Sequence, residues 1–154
     1  MLLYLISVPG LERWHGLYSL DDGATVPQRI SNIDYGCGLH AAVWDGKIAL
    51  GCSGGDGSPL QICNVTSGDC DNITPDLVDR ILALTVPKGA GLNALKVAPV
   101  HWSQDGQLYI TATPHAVSQS WSGRGHLLLL DPATKDLQPI LRNADLISFR
   151  EGDG

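Results

Sequence analysis

The dipeptide Asp-Gly, set between two alternating apolar runs, constrains this chain more than any other feature. HAAVWDG leads into KIALGCS around Asp45-Gly46, and VHWSQDG leads into QLYITAT around Asp105-Gly106. The C-terminal LISFREGDG stops at Asp153-Gly154, and the N-terminal MLLYLISV reads as the strand that would follow that turn. Both residues of Asp-Gly tolerate the positive φ of a tight turn, so each junction predicts a β-hairpin. The chain therefore reads as three copies of one antiparallel unit, with the first copy split between the two termini.

Each copy extends to four short strands. The third contains VAPVHWS, QLYITATP, GHLLLLDP and DLQPILRN, with a long loop before its third strand and a Pro132-Ala133-Thr134 turn before its fourth. The second contains GLHAAVWDG, KIALGCS, PLQICNV and CDNIT, and the first takes its opening strand from the C terminus and continues with LLYLISV, HGLYSLDD and VPQRIS. Four antiparallel strands in roughly 40–50 residues are what a β-propeller blade requires. The expected fold is all-β, with three blades: residues 144–154 plus 1–33, residues 34–74, and residues 92–143.

PVHWSQDGQLYITAT followed by LLLLDPATKDL resembles the TolB-like propeller repeat, in which a Trp-Ser-x-Asp-Gly turn joins two inner strands and an Asp-x-x-Thr turn joins two outer ones. The second copy keeps Trp44-Asp45-Gly46 and lacks two residues of that turn. SLDDGATV, Ser19 to Val26, resembles the Asp box of sialidase-type propellers, with Val26 where an aromatic is usual. These resemblances imply a blade architecture and carry no catalytic residue.

Between the second and third copies, TPDLVDRILALTVPKGAG departs from strand patterning. Thr74 suits an N-cap, Pro75 the first helical position and Asp76 the first turn. Leu77, Ile81 and Leu84 share one stripe, so a short helix is expected over 75–88, ending near Pro87 and Gly89. It is either an ordinary connection or an insertion that shapes a binding face.

The four cysteines all lie in the second copy, at Cys37, Cys52, Cys63 and Cys70. No Cys-x-x-Cys spacing supports zinc. A two-residue turn at Thr66-Ser67 would set Cys63 opposite Cys70, and the first hairpin would bring Cys37 near Cys52. The expected state is two disulfides, with free buried thiols as the alternative. Asn64-Val65-Thr66 and Asn72-Ile73-Thr74 match the N-glycosylation triplet. Paired cysteines would favour an extracellular or periplasmic location.

A net charge of −6, from 16 acidic and 10 basic residues, argues against nucleic acid or an anionic membrane as partner. No apolar run approaches the roughly 20 residues of a membrane-spanning helix, and MLLYLISVPG reads as a strand rather than a signal peptide. No cofactor motif is present: Gly51-Cys52-Ser53-Gly54-Gly55 lacks the Lys-Ser/Thr of a phosphate loop.

Three blades do not close a ring, since propellers typically use 4–8. The leading expectation is a head-to-tail homodimer that forms six blades; the alternatives, in order, are another chain that supplies the remainder and a compact three-blade unit closed within one chain. The face expected to bind collects Glu12, Arg13 and Trp14 from the first copy, Asp56 from the second, and Trp121 and Arg124 from the third. Exposed Trp and Arg are favoured anchors for a sugar or peptide. The expected function is a non-catalytic binding or assembly module, and the alternative is a glycan-binding or glycosidase-like propeller. Asp21-Asp22 resembles a glycosidase carboxylate pair, but it sits in the Asp-box turn, where acids hold backbone amides. His40 and His101 occupy matching places on the innermost strands, where imidazoles lining a channel would suit a metal, although a satisfied histidine beside the channel is the more ordinary role.

Overall fold

A computed structural model describes residues 2–8, 11–29, 39–52, 60–86, 88, 92–116 and 125–144. The first sheet is β1 (Leu2–Val8), β2 (Leu11–Leu20) and β3 (Gln28–Arg29), in that spatial order. The second is β4 (Leu39–Trp44), β5 (Lys47–Cys52), β6 (Gln61–Asn64) and β7 (Cys70–Asn72). The third is β8 (Leu92–Trp102), β9 (Leu108–Ala116), β10 (Gly125–Leu130) and β11 (Leu137–Ala144). Every sheet is an antiparallel meander in chain order. The all-β class and the order of strands within each copy are thus as expected, and no closed sheet forms among the described residues. The proposed opening strand of the first copy, in 144–154, lies outside the described residues beyond Ala144.

Turn chemistry explains where each strand ends. Asp45 and Gly46 both have positive φ, at 42° and 71°, so the β4–β5 hairpin is the two-residue turn expected for Asp-Gly. The β8–β9 turn corrects that expectation for Asp105-Gly106. Only Gly106 is at positive φ (82°); the Gly106 N–H donates to Ser103 O and the Ser103 N–H to Gln107 O. This is a three-residue loop, a tight turn followed by a glycine bulge. The Ser103 hydroxyl donates to the Asp105 carboxylate and accepts from the Gln107 N–H, which is why Ser and Asp stand there.

The outer turns of the second and third sheets are built alike. Asn64 Oδ1 accepts from Thr66 and Ser67 N–H, and Asp131 Oδ1 accepts from Ala133 and Thr134 N–H. Those donors, Ala133 first, hold the Asp131 carboxyl below the usual carboxylate range. Gly68 N–H then returns to Asn64 O, and Lys135 N–H to Asp131 O. The fifth residue of both turns is left-handed: Gly68 has φ 76° and Lys135 φ 61°. A side chain in that region costs roughly 1 kcal/mol, while the Lys135–Asp76 pair is exposed and contributes little. Lys135→Gly is therefore expected to stabilise the chain by up to about 1 kcal/mol, read as a higher urea midpoint. A midpoint that falls would mean that the exposed pair outweighs the backbone strain.

The helix α1 (Thr74–Thr85) starts one residue earlier than expected, with Ile73 as N-cap and no side-chain cap. Thr74 does not cap it, because its hydroxyl accepts from the Leu60 N–H at 2.5 Å and ties the helix to the start of β6. Leu77 and Ile81 are fully buried and Leu84 packs beside them, so the predicted stripe is the buried one. The helix lies against β9 and β11, and Arg80 clamps it to the outer turn through Lys135 O and the Asp136 carboxylate.

The core lies between the second and third sheets, with the helix closing one side. Ala42 and Ala49 from the second sheet meet Val97, Trp102, Leu108, Ile110, Ala112, Leu128 and Leu130 from the third. The small residues are needed for this approach: a Cβ on Gly51 would stand 2.6 Å from Pro99 Cδ and 2.9 Å from Val97 O.

Candidate functional site

Strand alternation sends odd and even residues to opposite faces, so each sheet has a near and a far side. In the third sheet, Trp102, Leu108 and Leu130 form one row on the face toward the second sheet. His101, Tyr109, Leu129 and Gln138 form the neighbouring row, on the far face. His101 and Tyr109 stack at 6.5 Å, and Tyr109 and Leu129 are half-buried. Beside Leu129 is an open hollow of about 210 Å³, lined also by Gln107, Asp131, Asp136, Leu137 and Gln138. In the next row, Leu127 is buried while Leu141 is 50 % exposed.

The matched outer turns give a residue-by-residue equivalence between the two sheets. Placing Asn64 on Asp131 places Ile62 on Leu129, Ala49 on Tyr109 and Ala42 on His101. The far face of the third sheet is therefore the counterpart of the second-sheet face that already packs on a neighbour. The same equivalence sets Val43 against Trp102 and leaves Trp44 matching Ser103. The two tryptophans of the repeated Trp/Asp-Gly signature are thus not counterparts. They point across the joint at each other, stacked at 5.7 Å and 21°, with the Trp102 indole N–H donating to Ala42 O at 3.0 Å. His40 and His101 likewise do not match: the counterpart of His101 is Ala42, whereas His40 lies two residues before it and pairs with Gly51. No group of three potential metal ligands occurs among the described residues.

Of the expected ligand contacts, Glu12, Arg13 and Trp14 fall within β2 rather than in a loop before it. They occupy the irregularity between the Val8↔Leu11 and Ser7↔His15 pairs. Asp56, Trp121 and Arg124 lie outside the described residues. Val26, at the aromatic position of the Asp-box-like segment, is 73 % exposed, while Ala24 N–H donates to Asp21 O in that turn.

The Cys63–Cys70 disulfide is present, with Cα atoms 4.0 Å apart at directly paired positions. The loop is longer than expected, because Asn64 N–H also bonds Asp69 O and leaves four residues in the turn. The register is unchanged, since both loops share one centre. Cys37, the other half of the expected Cys37–Cys52 bond, lies outside the described residues.

One buried polar group was not singled out from the sequence. His126 is 4 % exposed on β10, and its Nδ1 has no hydrogen-bond partner among the described residues. Burial, and secondarily the Arg142 cation, push its pKa below the ordinary value of about 6.5. Above that value the imidazole is neutral whether the chain is folded or not. As pH falls below it, the unfolded chain takes up a proton that the folded chain refuses, so stability is lost down to the folded pKa. His126→Leu is expected to flatten this acid-side loss in urea titrations between pH 7 and 5; an unchanged slope would locate the dependence elsewhere.

Comparison with known proteins gives no match: no family model, no curated protein and no solved structure is significantly similar to the chain.

Proposed function

We propose that the chain is a non-catalytic, propeller-type assembly module, in which blade-like sheets stack face to face and a second copy, joined head to tail, continues the stack. What supports the reading is the repeated face. Ala42, Ala49 and Ile62 are the second sheet's contact with its neighbour, and His101, Tyr109 and Leu129 are their counterparts on the third. Such a face, half-buried and apolar at Leu129 and Leu141, is stabilised by covering it, at about 25 cal/mol per Å² of apolar area removed from water. His101 and Tyr109 are larger than the alanines they match, so the covering sheet must present smaller residues there than Trp102 at the internal joint.

Light scattering across a concentration series tests the reading. The expected mass is that of two chains, and Leu129→Asp is expected to return it to one chain with the near-ultraviolet signal of the Trp44–Trp102 pair intact. A single-chain mass at every concentration would reject self-assembly.

A further inference from the structure

The two Asn-x-Thr triplets of the second sheet share a local conformation. Asn64 Oδ1 accepts from the Thr66 N–H at 2.8 Å, and Asn72 Oδ1 accepts from the Thr74 N–H at 3.1 Å. In each case the amide oxygen turns back on its own triplet. Neither Nδ2 makes a hydrogen bond among the described residues, and both asparagines are exposed. They lie at opposite ends of the β6–β7 hairpin, and β7 is the outermost strand of its sheet. A substituent on either nitrogen leaves the turn bonds at Thr66, Ser67 and Thr74 intact, because those bonds use only oxygen.

The same hairpin carries the Cys63–Cys70 disulfide. Disulfides persist where the compartment is oxidising, and that is also where Asn-x-Thr triplets are glycosylated. The bond and the triplets are independent features that point to one environment.

We propose that Asn64 and Asn72 are N-glycan acceptors and that the outer edge of the second sheet is a glycosylated rim. The donor class is a polyprenyl-diphosphate-linked oligosaccharide. The Asn Nδ2 lone pair forms the bond to the sugar C1 as the C1–O pair leaves with the diphosphate, the amide proton passes to the released diphosphate or solvent, and nothing is oxidised or reduced. Transfer precedes folding, while the Thr74 hydroxyl is still free of the Leu60 N–H that it accepts in the folded chain. The described joint between the second and third sheets is made chiefly by β4, β5 and β8, with Ile62 of β6 at its margin, so glycans on the exposed ends of the β6–β7 hairpin do not obstruct it.

The test is secretion of the full chain from a eukaryotic host behind a cleavable leader, followed by peptide mass mapping before and after amidase deglycosylation, on both secreted and retained material. Two glycans are expected, one at each asparagine; Asn64→Gln and Asn72→Gln should each remove one, and the secreted glycoform should retain the Cys63–Cys70 bond. Unmodified Asn64 and Asn72 in translocated chain would overturn the proposal. So would modified chain found only in the retained fraction with that bond missing, since the folded rim would then not accommodate glycans.

Discussion

Trp102→Ala is expected to lower unfolding free energy by about 3–5 kcal/mol, the range for deleting a large buried aromatic side chain. Trp102 is 4 % exposed, and its indole does three things at one joint. It fills the space between two sheets, stacks on Trp44 at 5.7 Å, and satisfies Ala42 O through its N–H. Trp102→Phe separates these roles. It keeps most of the apolar area and loses the hydrogen bond, so its cost should be about 1–2 kcal/mol. Urea unfolding of both variants decides the matter, together with the near-ultraviolet signal of the indole pair. A loss under about 1 kcal/mol for the alanine variant would mean that the joint is not where the core's stability resides.

Gly51→Ala should be the next largest effect, at about 2–3 kcal/mol, although it adds only one methyl group. Gly51 is buried, and the added carbon would meet Pro99 Cδ at 2.6 Å, Val97 O at 2.9 Å and Ala98 Cα at 3.2 Å. Two of these atoms are backbone and the third belongs to a rigid ring, so no flexible side chain can move aside. The strands β5 and β8 must separate instead, and that loosens every contact along the joint. Gly51→Ala in wild-type and Trp102→Ala backgrounds gives a double-mutant cycle. Non-additive losses are expected, because both substitutions act on one interface. Strict additivity would show that the two ends of the joint yield independently.

Much of the fold was legible because its signals are local. Asp-Gly at 45–46, the Asp131-x-x-Thr134 turn and the helical stripe of Leu77 and Ile81 each act through residues a few positions apart. The Cys63–Cys70 pairing was legible for the same reason, since the centre of a hairpin sets which residues face each other whatever its loop length. The candidate site was less legible. Trp44 and Trp102 share a signature, but loops of two and three residues shift the strand by one position relative to the repeat and turn one indole to the opposite face. Thr74 looks like a helix cap, and only the approach of Leu60 diverts its hydroxyl. His126 sits in an apolar strand run, where composition alone gives no sign of a nitrogen without a partner among the described residues.

By itself, then, the sequence determined the all-β class, the order of strands in three meanders, the helix between the second and third, and the register of one disulfide. These depend on turn φ values, apolar alternation and helical periodicity, all of which act over a few residues. Only the tertiary structure decided which faces meet. That the second sheet presses alanines and Gly51 on Pro99 and Trp102, and that the third repeats this face with His101, Tyr109 and Leu129, depends on steric fit between strands far apart in the chain. Such fit is set by volume and parity at a shared surface, and neither can be read from one strand alone.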